Sequence, residues 1–234
     1  LLNRPQSRNA ISKEMWDALP KTLDDLQKDG ASVIVIAGEG MAFAAGADMD
    51  ELLALDSVEQ AREHWLSIRN ALNMVARCEV PTIAMIHGPC LGGGCLLACA
   101  CDIRICERDA SFCVPVAHLG ILLDDDNIAR LVSLVGRGNA AEILLSAEMI
   151  HAERAMTMGL VNRVVLAHQL REITTSLAKA ILSNVPAAKQ HVKNALTRLT
   201  TAQGREQNQE AIVASYLSDE FRDRVRRAIG KQRS

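Results

Sequence analysis

The sequence predicts an α/β core over residues 1–166 and a helical subdomain over 167–234. Three observations lead there. Val33 to Ala37 is a β-branched run closed by Gly38, which reads as a fully buried parallel strand. On both sides of it, apolar residues recur at helical spacing. The composition, 49% hydrophobic with only 3% aromatic and 23% charged residues, suits a core of small aliphatic side chains packed between helices and strands.

Ser12 to Gln27 carries Met15, Trp16, Leu19, Leu23 and Leu26 on one helical face, with Ser12 as N-cap and a kink expected at Pro20. After the Val33 strand come a small-residue stretch, Gly38 to Ala47, and a helix over Val58 to Ala76 with Leu66, Ile68, Leu72 and Val75 in period. Val80 to Ala100 has no Asp, Glu, Lys or Arg and is long enough to cross a bilayer. Pro81, Gly88, Pro89 and Gly92-Gly93-Gly94 divide it, so it reads instead as a buried strand (Thr82 to Ile86), a turn and a buried helix (Cys95 to Cys101). Ile103 to Cys106 is a further strand. Helical spacing resumes at Ile128 and stops near Gly136 and Gly138; Ala140 to Leu145 and Glu153 to Met158 read as helices and Leu160 to Val165 as a strand. From Leu170 the pattern is helical, broken near Pro186, with an amphipathic stretch at Phe221 to Ile229.

Charge and cysteine content exclude several roles. Lys+Arg 26 against Asp+Glu 28 gives a net charge of -2, with no basic excess for a phosphate backbone and few rings for stacking bases. Neither nucleic acid nor membrane is an expected partner. The seven cysteines all fall between Cys78 and Cys113 without a C-x-x-C pair, which reads as core thiols in a reducing compartment such as the cytoplasm, with no metal site. No basic-then-apolar leader follows Leu1, so targeting information is expected either to be absent or to lie upstream of Leu1.

Two small-residue loops are the candidates for chemistry, Phe43-Ala44-Ala45-Gly46-Ala47-Asp48 and Gly92-Gly93-Gly94, each directly after a strand. Such loops let backbone N–H groups approach a ligand, and two donors converging on one oxygen make an oxyanion hole. The competing explanation is tight strand-to-helix packing. Neither loop is a dinucleotide fingerprint or a phosphate loop.

Taken together, Leu2-Asn3-Arg4-Pro5, Asn9-Ala10, Ala42 to Asp48, Gly92-Gly93-Gly94, Cys101-Asp102-Ile103-Arg104, Leu119-Gly120, Arg130-Leu131 and Gly159-Leu160-Val161-Asn162 resemble the crotonase superfamily, the enoyl-CoA hydratase/isomerase family. The resemblance covers nearly the whole chain. It implies a spiral of ββα turns with a helical C-terminal trimerisation subdomain, a homotrimer or dimer of trimers, and binding of acyl-CoA thioesters, with coenzyme A as part of the substrate and no separate cofactor. It also implies strands before Leu2 that this chain is expected to lack. By the family pattern the N–H groups of Ala47 and Gly93 hold the thioester oxygen, and backbone around Arg8, Ala10, Ala45, Asp48 and Met49, with Gly92, receives the CoA. The basic run Arg222, Arg224, Arg226, Arg227, Lys231 and Arg233 is either a solvated face or a phosphate contact.

The departures matter as much. Where hydratases of the family carry two glutamates, this chain has Leu96 and Val116, which neither activate water nor protonate carbon. Asp124 falls where some isomerases of the family carry a catalytic aspartate, and one carboxylate suffices to move a proton between two carbons. Apolar neighbours such as Leu122 and Leu123 make a carboxylate among them a better base. Capping of the helix that follows competes for Asp124, Asp125 and Asp126. His118 is a second catalytic candidate, as a base or an orienting donor, against a purely structural role. The expected activity is enoyl-CoA double-bond isomerisation in fatty-acid metabolism. Decarboxylation or thioester hydrolysis on the same fold, and a catalytically silent CoA-binding subunit, remain open.

Overall fold

The computed structural model describes residues 1–200, 213–214 and 216–233. Helix α1 (Lys13–Lys28) starts where Ser12 caps it, the hydroxyl accepting the Met15 N–H at 3.3 Å. It runs through Pro20 as one helix, and its buried Trp16 and Leu23 pack toward α3 (Val58–Ala76). Between them lie β1 (Ile34–Ala37) and the short α2 (Met49–Leu53). Beyond them follow β2 (Thr82–Ile86), β3 (Pro89–Leu91), α4 (Gly93–Ala100), β4 (Ile103–Glu107), β5 (Ser111–Cys113) and α5 (Val116–Leu119). Then come α6 (Asp125–Ser146), β6 (Ile150–His151), α7 (Ala152–Met158) and β7 (Arg163–Val165), before α8 (Leu170–Leu182), α9 (Pro186–Thr200) and the C-terminal helix Asp219–Arg233.

Strands β1-β2-β4-β7 form a parallel sheet in that order, with Ile34 opposite Thr82, Ile83 opposite Ile103 and Ile105 opposite Arg163. A second sheet has the order β3-β5-β6, parallel and then antiparallel. The sequence conceals β3 because Pro89 and the glycines around it read as a turn. Proline is nonetheless tolerated as the first residue of a strand, where its missing N–H breaks no ladder.

Several boundaries differ from the pattern-based expectations. Strand β1 lies at the edge of its sheet, and Val35 is 38% exposed, so the run is not buried on both faces. Helix α4 begins at Gly93 rather than Cys95. The stop expected near Gly136 is met: at φ 74° and ψ 162° this glycine leaves the helical conformation, and α6 is two helical segments joined across a kink there. Leu160 and Val161 are buried in the turn after Gly159 instead of extending β7.

Two of the recurring motifs hold the architecture. Buried Arg104 donates to the carbonyls of Leu160 (2.8 Å) and Cys101 (2.6 Å), placing its charge at the C-terminus of α4. Asp102 accepts from the Thr82 backbone (2.8 Å) and pairs with the buried Lys193 of α9 (2.6 Å). All seven cysteines are free and buried, and burial pushes Cys101 and Cys106 up to about 12. No helix among the described residues is long and apolar enough to cross a membrane.

Candidate active site

The loop 42–47 is pulled alongside β3. The Ala44 N–H donates to the Pro89 carbonyl (3.1 Å), and the Ala44 carbonyl accepts from Leu91 (2.9 Å). On the other side, Ile11 donates to the Gly46 carbonyl (2.7 Å) and Asp48 donates to the Ile11 carbonyl (3.2 Å). Extended backbone alternates its polar groups, so with Gly46 and Asp48 turned to Ile11 the Ala47 amide between them faces away. Gly93 is the first residue of α4, where the N–H has no intrahelical acceptor. Neither amide meets an acceptor among the described residues.

The two loops touch. A Cβ on Gly93 would lie 3.8 Å from the Ala47 nitrogen and 3.0 Å from Trp16 Cζ2, and one on Gly46 would lie 3.7 Å from the Gly92 Cα. Gly46 (φ +105°) and Gly92 (φ +49°) hold conformations that side chains rarely adopt. Two neighbouring N–H donors at the start of a helix suit an oxygen on which negative charge develops.

Ala47, Gly92 and Gly93 line a cavity of about 290 Å³ whose remaining wall is mostly apolar. Leu96 and Val116 are both in that wall, and neither carries an acid or a base. Asp124 supplies the only carboxylate among the described lining residues and is 4% exposed. It is also the N-cap of α6. One carboxylate oxygen accepts the Asn127 N–H (2.9 Å) and the other accepts the Asn127 side-chain amide (2.8 Å). Asn127 Oδ1 in turn accepts from Arg130 (2.6 Å), whose other terminal nitrogen donates to Asn73. Capping and presence in the cavity, competing explanations at the level of sequence, describe the same side chain. Asp125 and Asp126 lie outside the lining, and Asp126 sits 3.8 Å from Arg69.

His118 lines the cavity from α5 and is exposed. Ala45 and Met49 also line it; Arg8, Ala10 and Asp48 do not. Arg8 is tied to the first loop through its carbonyl, which accepts the Ala45 N–H at 2.9 Å. The Asp48 carboxylate is engaged elsewhere, pairing with Arg4 (2.8 Å) and capping α2. In the basic C-terminal run, Arg222 donates to the Leu55 carbonyl (2.6 Å) and Arg226 pairs with Asp223, while the side chains of Arg224, Lys231 and Arg233 lie outside the described residues.

The sequence pattern singles out none of Trp65, Asn127 and Tyr216 for the site, and places Trp16 only on the apolar face of a helix. All four line the cavity. The one available signal was that Tyr216 is the single tyrosine of the chain. Trp65 is held by stacking under Arg69, whose guanidinium carbon lies 5.3 Å from the ring centre.

A family model described as enoyl-CoA hydratase/isomerase matches residues 1–229. A peroxisomal Delta(3,5)-Delta(2,4)-dienoyl-CoA isomerase of Arabidopsis thaliana is 32% identical over 249 residues, covering 100% of this chain and 90% of the relative. A short-chain-enoyl-CoA hydratase of Clostridium acetobutylicum is 34% identical over 200 residues, covering 84% and 76%. Among solved structures, an enoyl-CoA hydratase/carnithine racemase from Magnetospirillum magneticum superposes with a TM-score of 0.81 at 34% identity, covering 91% of this chain and 79% of that one. With matches of this length across the parallel sheet, both loops and the helical C-terminal region, the chain has the crotonase fold and belongs to the enoyl-CoA hydratase/isomerase family.

Proposed function

We propose that the protein moves the double bond of an enoyl-CoA, with Asp124 carrying the proton and the N–H groups of Ala47 and Gly93 holding the thioester oxygen. The observation that carries this reading is the pairing, around a single cavity, of one buried carboxylate with two amides that meet no acceptor among the described residues. At Leu96 and Val116 nothing is available to activate water, which weighs against hydration. Asp124 takes a proton from the carbon between the thioester carbonyl and the 3,4 double bond. The electron pair moves onto the carbonyl oxygen, where the two amides stabilise it. Return of the proton at the far carbon leaves the double bond conjugated with the thioester. Each amide is expected to stabilise the charged intermediate by about 2.7 to 4 kcal/mol. Backbone around Arg8, Ala10, Ala45, Asp48 and Met49 receives the CoA, His118 orients the substrate, and the working form is a trimer or dimer of trimers. The Arabidopsis relative, an isomerase by name, supports this chemistry; the Clostridium relative, a hydratase, makes the test necessary.

The test is turnover of 3-enoyl, 2-enoyl and malonyl-type thioesters by the wild type, Asp124→Ala and His118→Ala. Isomerisation of the 3-enoyl substrate is expected in the wild type, lost in Asp124→Ala and retained with a raised KM in His118→Ala. Faster hydration, decarboxylation or thioester cleavage than isomerisation would overturn the reading, as would CoA-thioester binding with no turnover.

A further inference from the structure

Tyr216 lines the cavity just before the C-terminal helix and is 6% exposed. Its ring is clamped edge-on by His64 (centroids 5.7 Å apart) and Phe221 (5.8 Å), so the phenol has little freedom to turn away. Its hydroxyl has no hydrogen-bond partner among the described residues. Burial and, after it, the charge of Asp124 push the phenol's titration upward, so the group remains a protonated donor.

The other polar groups of the cavity are engaged, assigned to the reaction or sealed off, His118 on α5 being assigned to orienting the substrate. The Ala47 and Gly93 amides are assigned to the thioester oxygen and Asp124 to the proton. The Asn127 side chain is occupied by Asp124 and Arg130. The indole N–H groups of Trp16 and Trp65 also lack acceptors among the described residues, but both nitrogens are closed off from solvent. Tyr216 is thus a donor in the cavity wall with no acceptor among the described residues, and covering it with hydrocarbon would leave it without a hydrogen bond.

We infer that Tyr216 donates to an uncharged oxygen on the acyl chain, a hydroxyl or a ketone, which makes the substrate class an oxygenated acyl-CoA rather than a plain hydrocarbon one. A carboxylate in that place would meet the charge of Asp124, which already reaches Tyr216. The inference rests on the cavity being the acyl site. Titration calorimetry of saturated acyl-CoAs of increasing chain length, each paired with its keto analogue, tests it on the wild type and Tyr216→Phe. At one chain length the keto analogue is expected to bind the wild type roughly tenfold more tightly. In Tyr216→Phe that ratio falls to near one. Equal binding of both members at every length, or a ratio that survives in Tyr216→Phe, overturns the inference while leaving the acyl site intact. Binding of neither series overturns the acyl site, and the inference with it.

Discussion

The cavity wall is built in two opposite ways. The Ala47 and Gly93 side is made of backbone: its donors are amides, held by strand-like bonds to β3 and Ile11, and its side-chain requirement is chiefly smallness. The Asp124 side is made of side chains stacked on side chains, Asp124 on Asn127, Asn127 on Arg130 and Arg130 on Asn73. The first therefore tolerates little change in volume and is indifferent to the chemistry of the residues concerned. The second depends on chemistry at each link. Substitutions that separate volume from chemistry should fall differently on the two sides.

The largest effect is expected at the chemical side. Asp124→Asn keeps a residue that caps a helix as well as aspartate does while removing the base and the second acceptor for Asn127, so stability to thermal unfolding should fall by about 1–3 kcal/mol while isomerisation falls about 10²–10⁴-fold. Loss of stability with isomerisation retained would mean that the cap, not the base, is what the position serves. On the backbone side, Gly46→Ala adds a Cβ 3.2 Å from the Leu91 carbonyl oxygen at φ +105°. Turning one donor out of line should lower kcat about 10²–10³-fold. Steady-state kinetics with unaltered activity would show that the first loop need not be glycine for its amide to work.

Next in size is a pH effect on stability from His64, which packs against Tyr216. His64 is 1% exposed, its Nε2 has no hydrogen-bond partner among the described residues, and burial first, then Lys13, lowers it to about 4. Folding thus keeps it neutral, whereas the unfolded chain takes up a proton near pH 6.5. The stability this histidine permits is fully present above about pH 6.5 and is lost progressively as the pH falls toward 4, by up to about 3 kcal/mol. Urea unfolding of wild type and His64→Phe should diverge across that window, with the variant losing less. Parallel curves would place the acid sensitivity elsewhere.

The smallest effect tests the support of the base. Asn127→Ala leaves the backbone N–H to Asp124 and removes the side-chain bond and the link to Arg130. Because it loosens orientation without removing the base, kcat should fall about tenfold with little change in KM. A change confined to KM would make Asn127 a part of substrate binding instead.

Much of this molecule was determined by sequence alone. The helix over Val58 to Ala76 and the strand over Thr82 to Ile86 follow from periodicity and punctuation, and the start of α1 from Ser12, because these signals act within a few residues of the chain. Smallness at Gly46 and at Gly92-Gly93 was equally legible, since only close backbone approach makes such runs useful. What sequence left open was convergence. That Ala47 faces Gly93 depends on Ala44 pairing alongside β3, a strand disguised by Pro89. That Asp124 is both cap and cavity carboxylate depends on where α6 starts relative to α5. Tyr216 reaches the same cavity from a segment far along the chain. Tertiary structure alone decided these, because hydrogen bonds between distant segments and exclusion of water have no signature in local residue pattern.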